Sequence, residues 1–178
     1  VIAALSSVLL AAIRAEPRMD REQFHRFYEQ TARPLRAYLA RVGRDAALAE
    51  DLLQDAYLRF LRAEQEGRIV PDRRRYYLFQ IAANLIRDHY RRQKSGALEE
   101  LSSPSDAPAI ELRRDLSRIL DRLTPAERNL LWLAYVERFS HNEIASIAGV
   151  KPQSVRPLLF RAKQKLAGLL RKAGIGAA

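Results

Sequence analysis

FSHNEIASIAGVKPQSVRPLLFRAKQKL, from Phe139 to Leu166, decides how this chain is read. Ser140 followed by Glu143 is a capping box, and it predicts a short helix with Ile144, Ala145 and Ala148 on one face. Gly149 ends that helix, because glycine takes the left-handed conformation without steric cost. Pro152 suits the first turn of a second helix, where its missing N–H is no loss. That helix carries Gln153, Ser154, Arg156, Arg161 and Lys163 outside an apolar stripe of Val155, Leu159, Ala162 and Leu166. Two helices joined by a glycine turn, the second basic, form the helix-turn-helix pattern, whose second helix enters the major groove of DNA. A helical hairpin without any DNA partner would show the same pattern.

Composition narrows the choice. The chain has 178 residues and a net charge of +10, from 31 Lys+Arg against 21 Asp+Glu. Its isoelectric point is about 10.4. That length holds one or two small domains, and a balance so basic is a footprint for polyanions, nucleic acid first among them. The bland alternative is a basic protein with no polyanion partner. With no cysteine there is no disulfide, thiol nucleophile or cysteine zinc site. His25, His89 and His141 lie far apart without metal-ligand spacing, so no metal and no cofactor is expected.

Residues 1–13, VIAALSSVLLAAI, are apolar but lack the basic flank of a secretory signal and are too short to span a bilayer. Met19, the sole methionine, precedes Asp20, a good helix cap. The favoured reading counts 1–19 as an N-terminal extension in which the native start is Met19 and residues 1–18 come from an upstream start assignment. The alternative is an amphipathic helix that packs on the domain or a partner. No stable membrane insertion is expected, and the place of action is expected to be cytoplasmic.

The rest of the chain divides by composition. Residues 20–94 are charged and periodic, and 111–173 resume helical periodicity. Between them, Ser95 to Ile110 collects Ser, Pro, Gly and Ala with Glu99, Glu100 and Asp106 and no basic residue. That is a flexible acidic linker in a basic protein. No strand-like alternation occurs, so the class is all-α, with two small helical domains.

In the first block, Asp20 and Gln23 open a helix that carries Phe24, Phe27, Tyr28, Leu35, Tyr38, Leu39 and Val42, with Pro34 a kink or break. Asp45 caps the next helix, whose core face is Ala49, Leu52, Leu53, Ala56 and Phe60. Its opposite face holds Asp51, Gln54, Asp55 and Leu58, and a leucine among acids and amides hints at a docking surface. A third helix follows Pro71, with Leu78, Ile81, Ala82, Leu85 and Ile86 inward and Arg87, Arg91, Arg92 and Lys94 making its second half basic. Tyr76, Tyr77, Phe79 and Tyr90 interleave with the charge, which suits stacking on single-stranded bases, although each ring could equally be core.

The stretches AEDLLQDAYLRFLRA, YYLFQIAANLIRDHYRR and LDRLTPAERNLLWLAYVERFSHNEIASIAGVKPQSVRPLLFRAKQKL together resemble an extracytoplasmic-function (ECF) sigma factor of bacterial RNA polymerase, over about residues 20–172. The resemblance implies a region-two domain over 20–94 and a region-four domain over 111–178. It implies that Asp51, Gln54, Asp55 and Leu58 meet the β′ clamp helices of the polymerase core. It further implies that Asn84, Arg87, Arg91 and Arg92 serve the −10 promoter element, with the Asn84 amide reading a base edge. Lys151, Gln153, Ser154, Arg156, Phe160 and Arg161 would serve the −35 element while the domain rests on the β flap. The partners implied are polymerase core and promoter DNA, with an anti-sigma factor as a further candidate.

Reach is consistent with this. The sixteen linker residues span at most ~53 Å, and two such domains add ~30 Å between centres. Promoter elements about 25 base pairs apart lie ~85 Å from each other, so the linker must be nearly extended on DNA. In the free chain the domains are expected to be mobile or folded together. Four positions depart from the family pattern. Tyr77 replaces a usual tryptophan, Arg138 a common glycine, and Pro157 and Leu158 a small polar residue and an arginine. The competing reading is a stand-alone helix-turn-helix regulator, which leaves the Asp51 face unused. An enzyme is not expected, since the sequence shows no metal-spaced carboxylates, phosphate loop or nucleophile–base pair.

Overall fold

The computed structural model describes residues 19–95 and 117–175, so the expectations for the N-terminal extension and for most of the acidic linker lie outside the described residues. Six helices can be numbered: α1 Arg21–Gly43, α2 Ala46–Gln65, α3 Arg74–Ser95, α4 Pro125–Leu131, α5 His141–Ala148 and α6 Pro152–Lys172. Residues 117–121 are also helical, and no strand occurs among the described residues.

Local chemistry sets the helix ends. Asp20 and Gln23 form a reciprocal capping box on α1, with bonds of 2.8 and 3.1 Å. Asp45 accepts from the N–H groups of Ala47 and Leu48 at the start of α2. Thr124 and Glu127 cap α4, and Ser140 and Glu143 cap α5. Gly149 closes α5 at φ 69°, as the sequence predicts.

Pro34 does not break α1, which runs unbroken through it. A proline inside a helix costs about 3 kcal/mol. Just beyond it Leu35, Tyr38, Leu39 and Val42 are all buried, and burying such side chains contributes about 1.5–3 kcal/mol each. Packing therefore overrides the local cost. Pro157 is likewise carried inside α6.

After Leu131 the helix widens into a π turn over Trp132–Val136, closed by Glu137 N–H donating to the Trp132 carbonyl at 3.1 Å. The π turn buries Leu133 and leaves Tyr135 and Val136 exposed. Arg138 then takes φ 58°. The position at which the family commonly has glycine therefore keeps the left-handed backbone that glycine favours, in a residue with a side chain.

Helices α1, α2 and α3 form one body, and α4, α5 and α6 with the π turn form another. The two are folded together. A single cluster of buried residues runs from Leu35, Phe60 and Leu78 in the first body to Leu133, Ile144 and Val155 in the second. Phe79 is fully buried, touching Tyr38 and Phe139 with ring centroids 5.3 and 5.4 Å apart. The buried Tyr38 hydroxyl donates to Asn129 Oδ1 across the join at 2.7 Å. Burial pushes that hydroxyl above the ordinary tyrosine range, so it stays protonated.

Candidate nucleic-acid interface

The polar face of α2 is arranged as the sequence predicts. Its inward residues Ala49, Leu52, Leu53, Ala56 and Phe60 are buried. Asp51, Gln54 and Leu58 are exposed, Leu58 by 56%. Asp55 is half-buried, and its carboxylate accepts two bonds from Arg59, at 2.9 and 3.0 Å. That pairing, more than any other cause, raises the Arg59 pKa above its ordinary value.

Arg59 connects this face to a groove of about 500 Å³ lined by Arg59, Asn84, Arg87, Asp88 and Arg91. Arg91 pairs with Asp88 at 3.2 Å, and Arg87 donates to Asn84 Oδ1. The groove has three cations against one carboxylate and carries an amide, which suits an anionic strand with a base edge to be read. Arg92 is exposed one position further along α3. Sequence reading missed Arg59 as part of this site. The signal was available, since Arg59 stands at i+4 from Asp55 on a helix.

The aromatic residues sort clearly. Phe79 is core and offers no stacking face. Tyr90 is half-buried and its hydroxyl donates to the carbonyls of Val42 and Gly43. Tyr76 is half-buried and bonds Ser146 at 2.7 Å, while Tyr77 is half-buried near the first turn of α3. Three of the four rings are thus used structurally, and Tyr77 packs against the same core with part of its surface.

On α6, Lys151, Gln153, Arg156, Phe160 and Arg161 are exposed at or near the N-terminal end, and Ser154 is half-buried. Phe160 is 62% exposed, so it packs on nothing that would hide it. Pro157 shares the exposed face, whereas Leu158 is half-buried against the core. Leu158 therefore supports the helix from beneath instead of replacing a DNA contact. Val155, Leu159 and Ala162 are buried beneath this surface. Lys151, the residue before the helix, provides no side-chain cap, and the first turn is closed by Ser154 N–H donating to the Lys151 carbonyl at 2.9 Å.

Among the described residues no three His, Cys, Asp or Glu side chains gather in a way that could hold a metal. Nor is any described helix long and apolar enough to cross a membrane.

Comparison with known proteins places both bodies. Residues 27–96 match the Sigma-70 region 2 family, and residues 113–166 match Sigma-70, region 4. The chain is 34% identical to the RNA polymerase sigma factor CarQ of Myxococcus xanthus over 158 residues, which cover 84% of this chain and 90% of that protein. It is 26% identical to the ECF RNA polymerase sigma factor SigM of Bacillus subtilis, across 80% of this chain and 91% of that protein. Its fold resembles the sigma factor RpoE of Bartonella quintana, solved with the anti-sigma factor NepR. That match has a TM-score of 0.68 at 22% identity and covers 84% of this chain and 98% of that one. CnrH, solved with the cytosolic domain of CnrY, matches with a TM-score of 0.65 at 24% identity, covering 86% and 90%.

Proposed function

The chain belongs to the ECF sigma factors of RNA polymerase, and from that membership we propose how its surfaces divide the work. As a sigma factor it directs core polymerase to specific promoters and helps open them, regulating a catalyst without being one. Residues 20–94 carry core binding and the −10 element, and 111–178 carry the −35 element and the β flap contact. The acidic linker joins them, following the path later taken by RNA. The observation that carries this division is the groove between α2 and α3. Arg59, which lines it with Asn84, Arg87 and Arg91, stands one helical turn from Asp55 on the α2 face that exposes Asp51, Gln54 and Leu58, so polymerase and an opened strand can be held side by side.

Asp51, Gln54, Asp55 and Leu58 meet the β′ clamp helices. Asp51→Arg with Gln54→Ala weakens core binding about tenfold to a hundredfold, the range of one or two lost hot-spot residues. Both residues are exposed, so the far-ultraviolet circular dichroism and melting of the variant match the parent. Titration of labelled core against parent and variant makes the check, and equal affinity refutes the assignment.

Asn84 reads a base of the −10 element, while Arg87, Arg91 and Arg92 hold phosphate. Asn84→Ala changes which −10 sequences are used, a base-edge contact being worth about 1–3 kcal/mol. Arg91→Ala weakens all promoters alike and reduces the salt slope by about one. Transcription from a panel of −10 variants at several salt concentrations separates the two. A uniform loss for Asn84→Ala would show that it positions the strand without reading it.

Gln153 and Arg156 meet base edges of the −35 duplex, where both side chains can bond bidentately. Ser154 and Phe160 flank them, and Lys151 and Arg161 meet phosphate. An anti-sigma factor is the third partner we propose, because a sigma factor of this fold was solved with one bound. Work on the polymerase places the chain in the cytoplasm.

A further inference from the structure

Helix α6 carries Arg156, Arg161, Lys163, Lys165, Arg171 and Lys172 and no carboxylate at all. A partner drawn to its outer face by charge is an anion. Down the middle of that face runs a narrower feature. Gln153, Pro157, Phe160 and Gln164 stand at i, i+4, i+7 and i+11, so they line up one above another on a helix, and all four are exposed. The stripe lies opposite the buried Val155, Leu159 and Ala162. Two amides thus bracket two apolar side chains. Arg156 and Lys163 run along one edge of the stripe and Arg161 along the other, all of them exposed.

The two apolar residues do little for the fold. Phe160 is 62% exposed, so most of its ring is left in water. Pro157 removes the bond that an N–H would give to the Gln153 carbonyl, and being exposed it buries little in return. The family commonly has a small polar residue at this position, so a hydrogen-bonding side chain has been exchanged for an apolar one.

An anionic surface with apolar groups set into it is what the major groove of DNA offers. Each thymine projects a C5-methyl there, and a phenyl ring is among the side chains that contact it. Pro157 and Phe160 lie in the N-terminal half of α6, the part of such a helix that meets base edges. They are ~4.5 Å apart along the helix axis, close to the ~3.4 Å between base pairs.

We propose that Pro157 and Phe160 recognise thymine C5-methyl groups, so that the −35 element used by this chain has thymine, on either strand, at two neighbouring base pairs. The inference deepens the −35 assignment made above and rests on it. Gln153 and Arg156 supply the hydrogen bonds beside this apolar patch, and the flanking cations hold the backbone.

The test uses the full chain bound to core and given a random-sequence promoter pool. The enriched −35/−10 pair is rebuilt with deoxyuridine in place of single thymidines, which removes only the methyl. At two neighbouring −35 pairs this lowers open-complex yield by about fourfold each, the worth of one buried methylene. Phe160→Ala lowers the yield from the thymidine promoter by about fourfold or more and abolishes the thymidine–deoxyuridine difference at one of the two pairs. Pro157→Ser abolishes it at the other, and Phe160→Leu keeps it. Phe160 is exposed, so the Phe160→Ala chain melts as the parent does. An enriched −35 element without thymine overturns methyl recognition and leaves the sigma assignment intact, as do equal yields from thymidine and deoxyuridine at every −35 position. A Phe160→Ala chain that keeps both differences overturns it too, because the ring then serves a protein partner. A pool from which the holoenzyme enriches no −35/−10 pair overturns the −35 assignment, and methyl recognition with it.

Discussion

Phe79→Ala lowers the stability of the chain by about 3–5 kcal/mol, the cost of removing a fully buried ring and leaving its cavity. Phe79 has no exposed surface and packs between Tyr38 of the first body and Phe139 of the second, beneath the Arg75 guanidinium. Neither body can close the gap without moving against the other. Phe79→Leu, which keeps most of the volume, costs less, about 1–1.5 kcal/mol. Urea unfolding followed by circular dichroism makes the comparison. A loss below about 1 kcal/mol for Phe79→Ala, with a specific loss of single-strand binding, would return this ring to the stacking role its neighbours in sequence suggest.

Arg128→Ala costs about 3 kcal/mol. Arg128 is a buried cation with no carboxylate bonded to it, held by carbonyls instead. Its guanidinium donates to Leu123 O at 2.6 Å, and at 3.4 Å to Leu120 O, Val42 O and the Tyr90 hydroxyl. Burial, above all, lowers its pKa below the ordinary arginine value. Truncation leaves the Leu123 carbonyl without its partner in the interior, at about 1–3 kcal/mol if it stays dry, and empties the space the guanidinium fills, while Val42 O keeps the Tyr90 hydroxyl and Leu120 O the Leu123 N–H. Arg128→Lys recovers part of the loss, because an ammonium can serve Leu123 but cannot reach across to Val42. Denaturant midpoints of the two variants, measured side by side, test the order. Equal stability of Arg128→Ala and parent would mean that relief from burying the charge outweighs the lost bonds.

Much of this molecule is readable from short-range chemistry. The capping pairs Asp20/Gln23 and Ser140/Glu143, the cap at Asp45 and the stop at Gly149 all form where the residue types dictate. The inward face of α2 follows from periodicity alone. What spacing could not supply is the second buried side of α3. Leu78, Ala82, Leu85 and Ile86 satisfy the pattern of an amphipathic helix, so Phe79 and Ala83 read as surplus. Phe79 is covered by Tyr38 and Phe139, about forty and sixty positions away, which local periodicity cannot see. The same blindness hid Ile147, which is buried within the second body and reads as an extra apolar residue beside Ile144. Pro34 misled in the opposite direction, because its penalty is local and the burial that offsets it is tertiary.

The candidate DNA surfaces were legible in residue type but not in state. Exposure of Lys151, Gln153, Arg156 and Arg161 follows from the stripe beneath them. The engagement of Arg87 by α5 does not follow from any motif, since its acceptors are main-chain carbonyls, which every residue possesses.

The π turn over Trp132–Val136 has a consequence for phase. A helix that admits one extra residue per turn resets the angular position of everything after it. Leu130 and Leu131 before the turn and Glu137 and Phe139 after it are all buried, and because the helix ends with the π turn and Arg138 is left-handed, no single helical repeat connects them. Any alignment drawn through this segment on hydrophobic spacing will slip by one position unless it allows for the insertion. A deletion of one residue within the turn would return it to α-helical pitch and change the direction in which the chain leaves it for Arg138 and the helix-turn-helix.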